Sequence, residues 1–214
     1  MVKNKTDMVV AEHLIKSIQK QLQTQALVKI PASEEEYMAV IAELPFKIEY
    51  HQSEIITMGL ASIWHETIIA NLIWLLQKIL ISNDDYLVLG SNAGIYVPKF
   101  EGGYYMPDVL VVKGTPEFKP NSKCIITNPF LIIEVLSPST SSFDTSGKLE
   151  EYKEFESLQQ VVYIFQDRPK VVSYIRTETP NTWLNQDYKK IEDRISIAGS
   201  PISLSDIYRK VQFS

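Results

Sequence analysis

Residues Phe130 to Leu136 read FLIIEVL, six apolar side chains and one acid, and Pro138 closes the run. A stretch this apolar reads as a strand buried on both faces rather than one half open to water. Such a strand needs a covering layer on each side, so the chain must build a sheet flanked by helices. Alternation puts Leu131, Ile133 and Val135 on one face and Phe130, Ile132, Glu134 and Leu136 on the other. Glu134 then sits in a central strand, where a carboxylate is costly unless it is paired or holds a metal.

The surrounding sequence supplies the other layers. Val10, Leu14, Ile18 and Leu22 mark a narrow-striped helix over residues 8–25, which packs on its own domain or on a partner. Ser33 and Glu36 form a capping-box pattern for a short helix ending near Pro45. FKIEYHQSEIITMG reads as two strands joined at His51-Gln52-Ser53. A long helix over 62–81 carries His65, Ile68, Ile69, Leu72, Leu75, Leu76 and Ile79 on one face. Strands are predicted at 86–89, 93–97, 109–112, 130–136 and in VVYIFQD and KVVSYIRT, with a helix from Asp144 to about Ser157. Strand-like and short helical pieces follow near 195–197 and 204–211. This order predicts an α/β fold, a mixed sheet flanked by helices. Residues 1–32 read as a helical extension and 33–214 as a single domain.

Composition excludes some classes. A single cysteine, Cys124, rules out a disulfide framework within the chain. The stretch from Ile63 to Ile81 is broken by His65, Glu66, Asn71, Gln77 and Lys78, so it predicts a core helix and no membrane span. The basic start soon acquires Asp7 and Glu12 and does not read as a signal peptide, so a cytoplasmic location is expected. The net charge of −5 gives no general attraction to a phosphate backbone. Any nucleic-acid binding must come from a local basic patch, a bound cation or oligomerisation.

Two further polar residues occupy unusual places. Asp108 follows Pro107 at the mouth of an apolar strand; alone, it reads equally as a turn acid. Lys148 shares a helix face with Tyr152 and Phe155 at spacings of four and seven, which turns it inward rather than toward solvent. In isolation it reads as a snorkelling surface lysine. Glu134 and a basic residue alone would also suit a structural salt bridge. Together the three residues form a sufficient set for phosphodiester hydrolysis. Two carboxylates on neighbouring strands suit a hard cation such as Mg²⁺, which activates water, and a lysine orients that water and offsets developing charge.

Pro107-Asp108-Val109, Ile133-Glu134-Val135-Leu136-Ser137-Pro138-Ser139-Thr140, Asp144, Lys148 and Tyr152 together resemble the Uma-type putative restriction endonuclease family of the PD-(D/E)XK nuclease superfamily. The resemblance runs from about Phe46 to about Asp167. In the superfamily the lysine usually stands two residues after the acid, where this chain has Leu136; the family pattern moves it to the next helix, which selects Lys148. The resemblance implies a restriction-endonuclease-like fold, Mg²⁺ dependence with Mn²⁺ able to substitute, a DNA substrate and a homodimer. It implies Asp108, Glu134 and the Val135 carbonyl as metal ligands. Asp144 would cap the lysine helix and Tyr152 would support Lys148. Glu49 and Glu54 match the family's paired acids, with Glu54 the chosen additional site acid and Glu49 equally well a solvated strand residue. His65 matches the family histidine. Its apolar-face position favours a satisfied core histidine, and its place near a helix N-terminus also suits a phosphate contact.

The reading is a metal-dependent endodeoxyribonuclease. Its rival is a catalytically silent nucleic-acid-binding or protein-interaction module that keeps the fold.

Overall fold

The computed structural model describes residues 5–25, 27–41, 47–59, 61–98, 102–138 and 147–213. The chain forms two compact units, one from 1–60 with 96–106 and one from 61–95 with 107–214. Among the described residues no helix is long and apolar enough to cross a membrane.

In the first unit, α1 (Lys5–Leu22) packs on α2 (Glu34–Val40) and β1 (Leu27–Pro31), with Leu14 and Ile18 buried. The N-terminal helix thus packs on its own unit. The boundary drawn at residue 32 falls inside this unit, between β1 and α2. Ser33 caps α2 through the expected capping box: its hydroxyl accepts from the Glu36 amide, and its own amide donates to the Glu36 carboxylate. The helix ends at Val40; the region near Pro45 lies outside the described residues. β2 (Ile48–His51) and β3 (Glu54–Met58) form the expected hairpin, and β3 also pairs with β1. Gln52 and Ser53 turn it with φ of 48° and 60°, the left-handed pair that suits a two-residue hairpin. Tyr50 pairs with Tyr104 of β6 (Gly103–Tyr105). Tyr37, Tyr50, Tyr96 and Tyr104 then form an aromatic cluster with ring centroids 4.8 to 6.4 Å apart.

The second unit is built on a six-stranded mixed sheet. Its order is β12 (Trp183–Tyr188), β11 (Val171–Arg176), β10 (Gln160–Phe165), β9 (Pro129–Leu136), β7 (Val109–Lys113), β4 (Tyr86–Gly90). β9 and β10 run parallel and the other pairs run antiparallel. A short parallel pair joins Gly94 and Ile95 of β5 (Gly94–Val97) to β8 (Ile125–Ile126). α3 (Ile63–Leu80) lays Ile68, Ile69, Leu72, Leu75, Leu76 and Leu80 in one core with Val109, Val111, Leu131, Ile133 and Val135. The alternation read from FLIIEVL is thus the pattern of the α3-facing side. Ile132, Glu134 and Leu136 on the opposite side are also buried, as a strand covered on both faces requires. The C-terminal segment, β13 (Arg194–Ile197), β14 (Ser200–Ser203) and α5 (Leu204–Ile207), adds Ile195, Ile197, Ile202 and Leu204 to that core.

The helix expected from Asp144 to Ser157 is shorter. Asp144 lies outside the described residues. A π-type turn at 147–148 leads into α4 (Leu149–Tyr152), and the chain then turns away. Arg176 accounts for the stop. Its guanidinium donates to the carbonyls of Lys153 (2.9 Å), Phe155 (2.7 Å) and Leu158 (2.7 Å), taking acceptors that a longer helix would use.

Candidate active site

β7 and β9 place the two acids side by side. Their register pairs Val109 with Ile133 and Leu110 with Ile132, so one step further sets Asp108 across from Glu134. The Asp108 Oδ2 accepts the Val135 amide at 2.9 Å, and the Asp108 amide lies 3.4 Å from Glu134 Oε2. The acid thus replaces the carbonyl that a β7 residue would have offered Val135, and it is locked to the strand it faces. Pro107 stands one step earlier and has no N–H to continue the ladder, so the pairing stops here and side chains take over.

α4 brings the cation and its support. Lys148 Nζ lies 3.7 Å from Glu134 Oε1, and the Tyr152 hydroxyl donates to the same oxygen at 2.6 Å. Asp108, Glu134, Lys148 and Tyr152 are 7%, 4%, 1% and 0% exposed, so the set is withdrawn from water. Lys148 is therefore no snorkelling surface lysine. A purely structural salt bridge accounts for Lys148 and Glu134; the second buried carboxylate beside them, Asp108, is held by the Val135 amide and faces His65. Two carboxylates side by side and withdrawn from water disfavour each other's charge. Such a pair is balanced by protonation or by positive charge of more than one unit.

Hard oxygen donors at this place fit Mg²⁺, which commonly takes one or two carboxylates and keeps several waters. Among the described residues no group of three or more His, Cys, Asp or Glu side chains is arranged to hold a metal unaided. The fit is thus to an ion completed by water and backbone, not to an all-side-chain cage.

His65 stands in the first turn of α3, where Ser62 caps the helix by accepting from the His65 amide. Its Nε2 is 3.4 Å from Asp108 Oδ1, with the side chain 15% exposed. The half-buried ring has a carboxylate partner, as a satisfied histidine requires, and that partner is Asp108. The helical period placed it correctly on the inward face; what the period could not show is that this face reaches the polar mouth of β7.

The hairpin acids lie in the first unit, and their burial reverses the order expected. Glu49 is 1% exposed and accepts the Met106 amide at 3.0 Å, so it is not a solvated strand residue. Glu54 is the half-exposed one, with Lys29 Nζ 4.0 Å away. His51, at the edge of the polar His51-Gln52-Ser53 turn, is buried, with Nδ1 2.5 Å from the Tyr105 hydroxyl. Nothing in one sequence distinguishes it from an ordinary turn residue, because its partner lies on β6, a three-residue strand.

The family described as "Uma2: Putative restriction endonuclease" matches residues 34–206. Two proteins of Synechocystis sp. (strain ATCC 27184 / PCC 6803 / Kazusa) are similar. The uncharacterized protein sll1609 is 34% identical over 139 residues, covering 65% of this chain and 77% of its own length. The uncharacterized protein slr1290 is 30% identical over 183 residues, covering 85% and 93%. The crystal structure of a putative nuclease belonging to DUF820 from Anabaena variabilis ATCC 29413 matches with a TM-score of 0.65 at 16% identity, over 83% of this chain and 98% of that one. That likeness gives the fold, which is restriction-endonuclease-like: a mixed sheet flanked by helices. On the span of the family match and the two relatives, the chain belongs to the Uma2 family of putative restriction endonucleases.

Proposed function

We propose that this chain is a Mg²⁺-dependent endonuclease that hydrolyses DNA phosphodiester bonds, with Mn²⁺ able to substitute. The observation that carries the reading is the pair of buried carboxylates, Asp108 and Glu134, with Lys148 against one of them. The ion would be held by Asp108, Glu134 and the Val135 carbonyl. In a strand the N–H and C=O of one residue point the same way, so the Val135 carbonyl projects to the side on which its amide meets Asp108. The register sets Pro107 opposite Val135, and Pro107 has no N–H to offer that carbonyl.

When bound, the ion supplies an activated water and offsets charge on the phosphate. The protein's own groups do the rest. Lys148 holds the attacking water in line and stabilises negative charge on the phosphoryl oxygens. Tyr152 positions Glu134 by donating to Oε1, leaving Oε2 on the Asp108 side. His65 positions Asp108 through Oδ1. Asp144 enters as the cap of the lysine helix, and Glu54 as a further acid, both on the sequence pattern. Burial keeps bulk water from competing and strengthens each charge interaction. The net charge of −5 makes the ion doubly useful, since it also lowers the repulsion an acidic protein presents to DNA. DNA as substrate and a homodimeric state rest on the family.

The test is cleavage of plasmid and branched DNA with Mg²⁺ or Mn²⁺ by the wild type and by Asp108→Ala, Glu134→Ala, Lys148→Ala and Glu54→Gln. Metal-dependent cleavage lost in the first three variants is expected. Equal cleavage by wild type and those three variants would remove the assignment.

A further inference from the structure

The outer face of α3 carries an apolar line that the helix does not spend on its own core. Ile63 is 70% exposed, Trp74 56% and Ile81, at the C-cap, 80%, and Ala70 is exposed between them. At about 100° per residue these four fall within roughly 20° of one line along the helix. Exposed apolar groups scattered singly need no explanation; these four share one line over five turns, with Glu66 and Thr67, then Gln77 and Lys78, set between them.

The line is self-complementary in one arrangement. Its members are symmetric about position 72, Ala70 and Trp74 close in and Ile63 and Ile81 further out. Two antiparallel copies of α3 related by a two-fold axis at that level lay Trp74 of each on Ala70 of the other, large on small. They also bring Ile63 of each to Ile81 of the other. A two-fold brings like flanks together. One flank carries Glu66 and Gln77, the other Thr67 and Lys78, so a carboxylate meets an amide and an ammonium meets a hydroxyl. No like charges are opposed. Shifting the register by one turn sets Trp74 on Trp74 or leaves the isoleucines unmatched.

A second feature gives the indole a seat. Ala70 and Ile73 line a groove of about 750 Å³ together with Leu87 and Leu89 of β4 and Phe118. Leu87 and Phe118 are themselves 42% and 45% exposed. A ring laid on Ala70 therefore rests at an apolar groove, not on a flat polar helix. Lys78 Nζ stands 5.1 Å from the Trp74 ring and fixes its orientation by a cation–π contact.

We infer that the outer face of α3, with the adjoining groove, is the surface on which a second copy of this chain docks, antiparallel and centred at position 72. This deepens the homodimer of the proposed function by naming its interface, and it is read out by mass and cross-linking rather than by cleavage. The experiment is sedimentation equilibrium of the full chain over a wide concentration range, with circular dichroism to check folding. Wild type is expected to reach twice the 24.5 kDa chain mass, and Ala70→Glu and Trp74→Ala to stay at the chain mass with unchanged spectra. In a Cys124→Ser background, Ile63→Cys with Ile81→Cys is expected to form a disulfide-linked dimer on mild oxidation. Ile63→Cys alone is expected to form none. A wild type that stays monomeric at every concentration, a dimer that survives both surface variants, or efficient cross-linking by Ile63→Cys alone would each overturn the inference.

Discussion

The Tyr152 hydroxyl donates to Glu134 Oε1 at 2.6 Å, and both side chains are buried. The short distance fits a phenol donating to an ionised acceptor. Tyr152→Phe removes the donor without changing the ring's volume. It is expected to cost about 1.5 to 3 kcal/mol of stability, the worth of a hydrogen bond to a charged group. Mn²⁺ affinity or cleavage is expected to fall by about 10- to 100-fold, as when other outer-shell partners of a metal ligand are lost. Chemical denaturation and single-turnover kinetics measure the two.

Lys148 separates metal binding from turnover. It is 1% exposed beside Glu134, so Lys148→Met keeps the stem's packing and removes only the charge. Breaking a buried pair typically costs about 3 to 5 kcal/mol, so the metal-free variant is expected to melt well below wild type. The site becomes more negative, so Mn²⁺ is expected to bind at least as tightly and to recover part of the loss, while cleavage is abolished. Thermal melts with and without Mn²⁺ check this. A variant with wild-type cleavage would leave Lys148 a structural residue.

The hairpin turn stores strain that one substitution relieves. Ser53 holds φ at 60° and Gln52 at 48°, where a side chain costs roughly 1 to 2 kcal/mol. Ser53→Gly removes that penalty and returns about 0.5 to 1 kcal/mol of backbone entropy to the unfolded chain. A net stabilisation of about 0.5 to 1 kcal/mol is expected, seen as a higher Tm, whereas Ser53→Val should lower it.

Tyr208 is one group through which high pH weakens the second unit. Burial pushes its hydroxyl well above the ordinary tyrosine value, and the nearby Asp167 charge adds to the effect. The hydroxyl lies 2.8 Å from the Lys170 carbonyl and 2.9 Å from that of Phe165. A raised folded value favours the neutral form in the native state. That stability is fully present below pH of about 10 and is lost as pH rises toward the folded value. Tyr208→Phe is expected to cost about 1 kcal/mol at neutral pH, and its stability should fall less steeply than wild type above pH of about 10.

The parts of the fold legible in the sequence are those where one period dominates. FLIIEVL, the α3 face and the Ser33 capping box each carry a signal within a few residues, and each element forms where expected. β12, WLNQDY, was not legible because it is an outer strand of its sheet with four exposed central residues and no apolar alternation. β1, β6 and β8 are five residues or fewer and gain their meaning from partners far along the chain. At the site, Glu134 was legible because a buried run is intolerant of an acid. Asp108 and Lys148 were legible only in combination. His65 and Glu49 were placed on the right elements with their surroundings left open, since a single helix or strand pattern shows which face a residue takes and not what that face meets.

The most direct measurement is calorimetric titration of Mn²⁺ into wild type, Asp108→Asn and Glu134→Gln at neutral pH. Asp108→Asn keeps an acceptor for the Val135 amide, so a loss of binding there reflects lost charge rather than a broken strand end. Saturable binding by wild type, weakened by at least about tenfold in both variants with native circular dichroism retained, is the predicted result. A wild type that binds no Mn²⁺, or variants that bind it as wild type does, would contradict the metal site and leave a silent module with a nuclease fold.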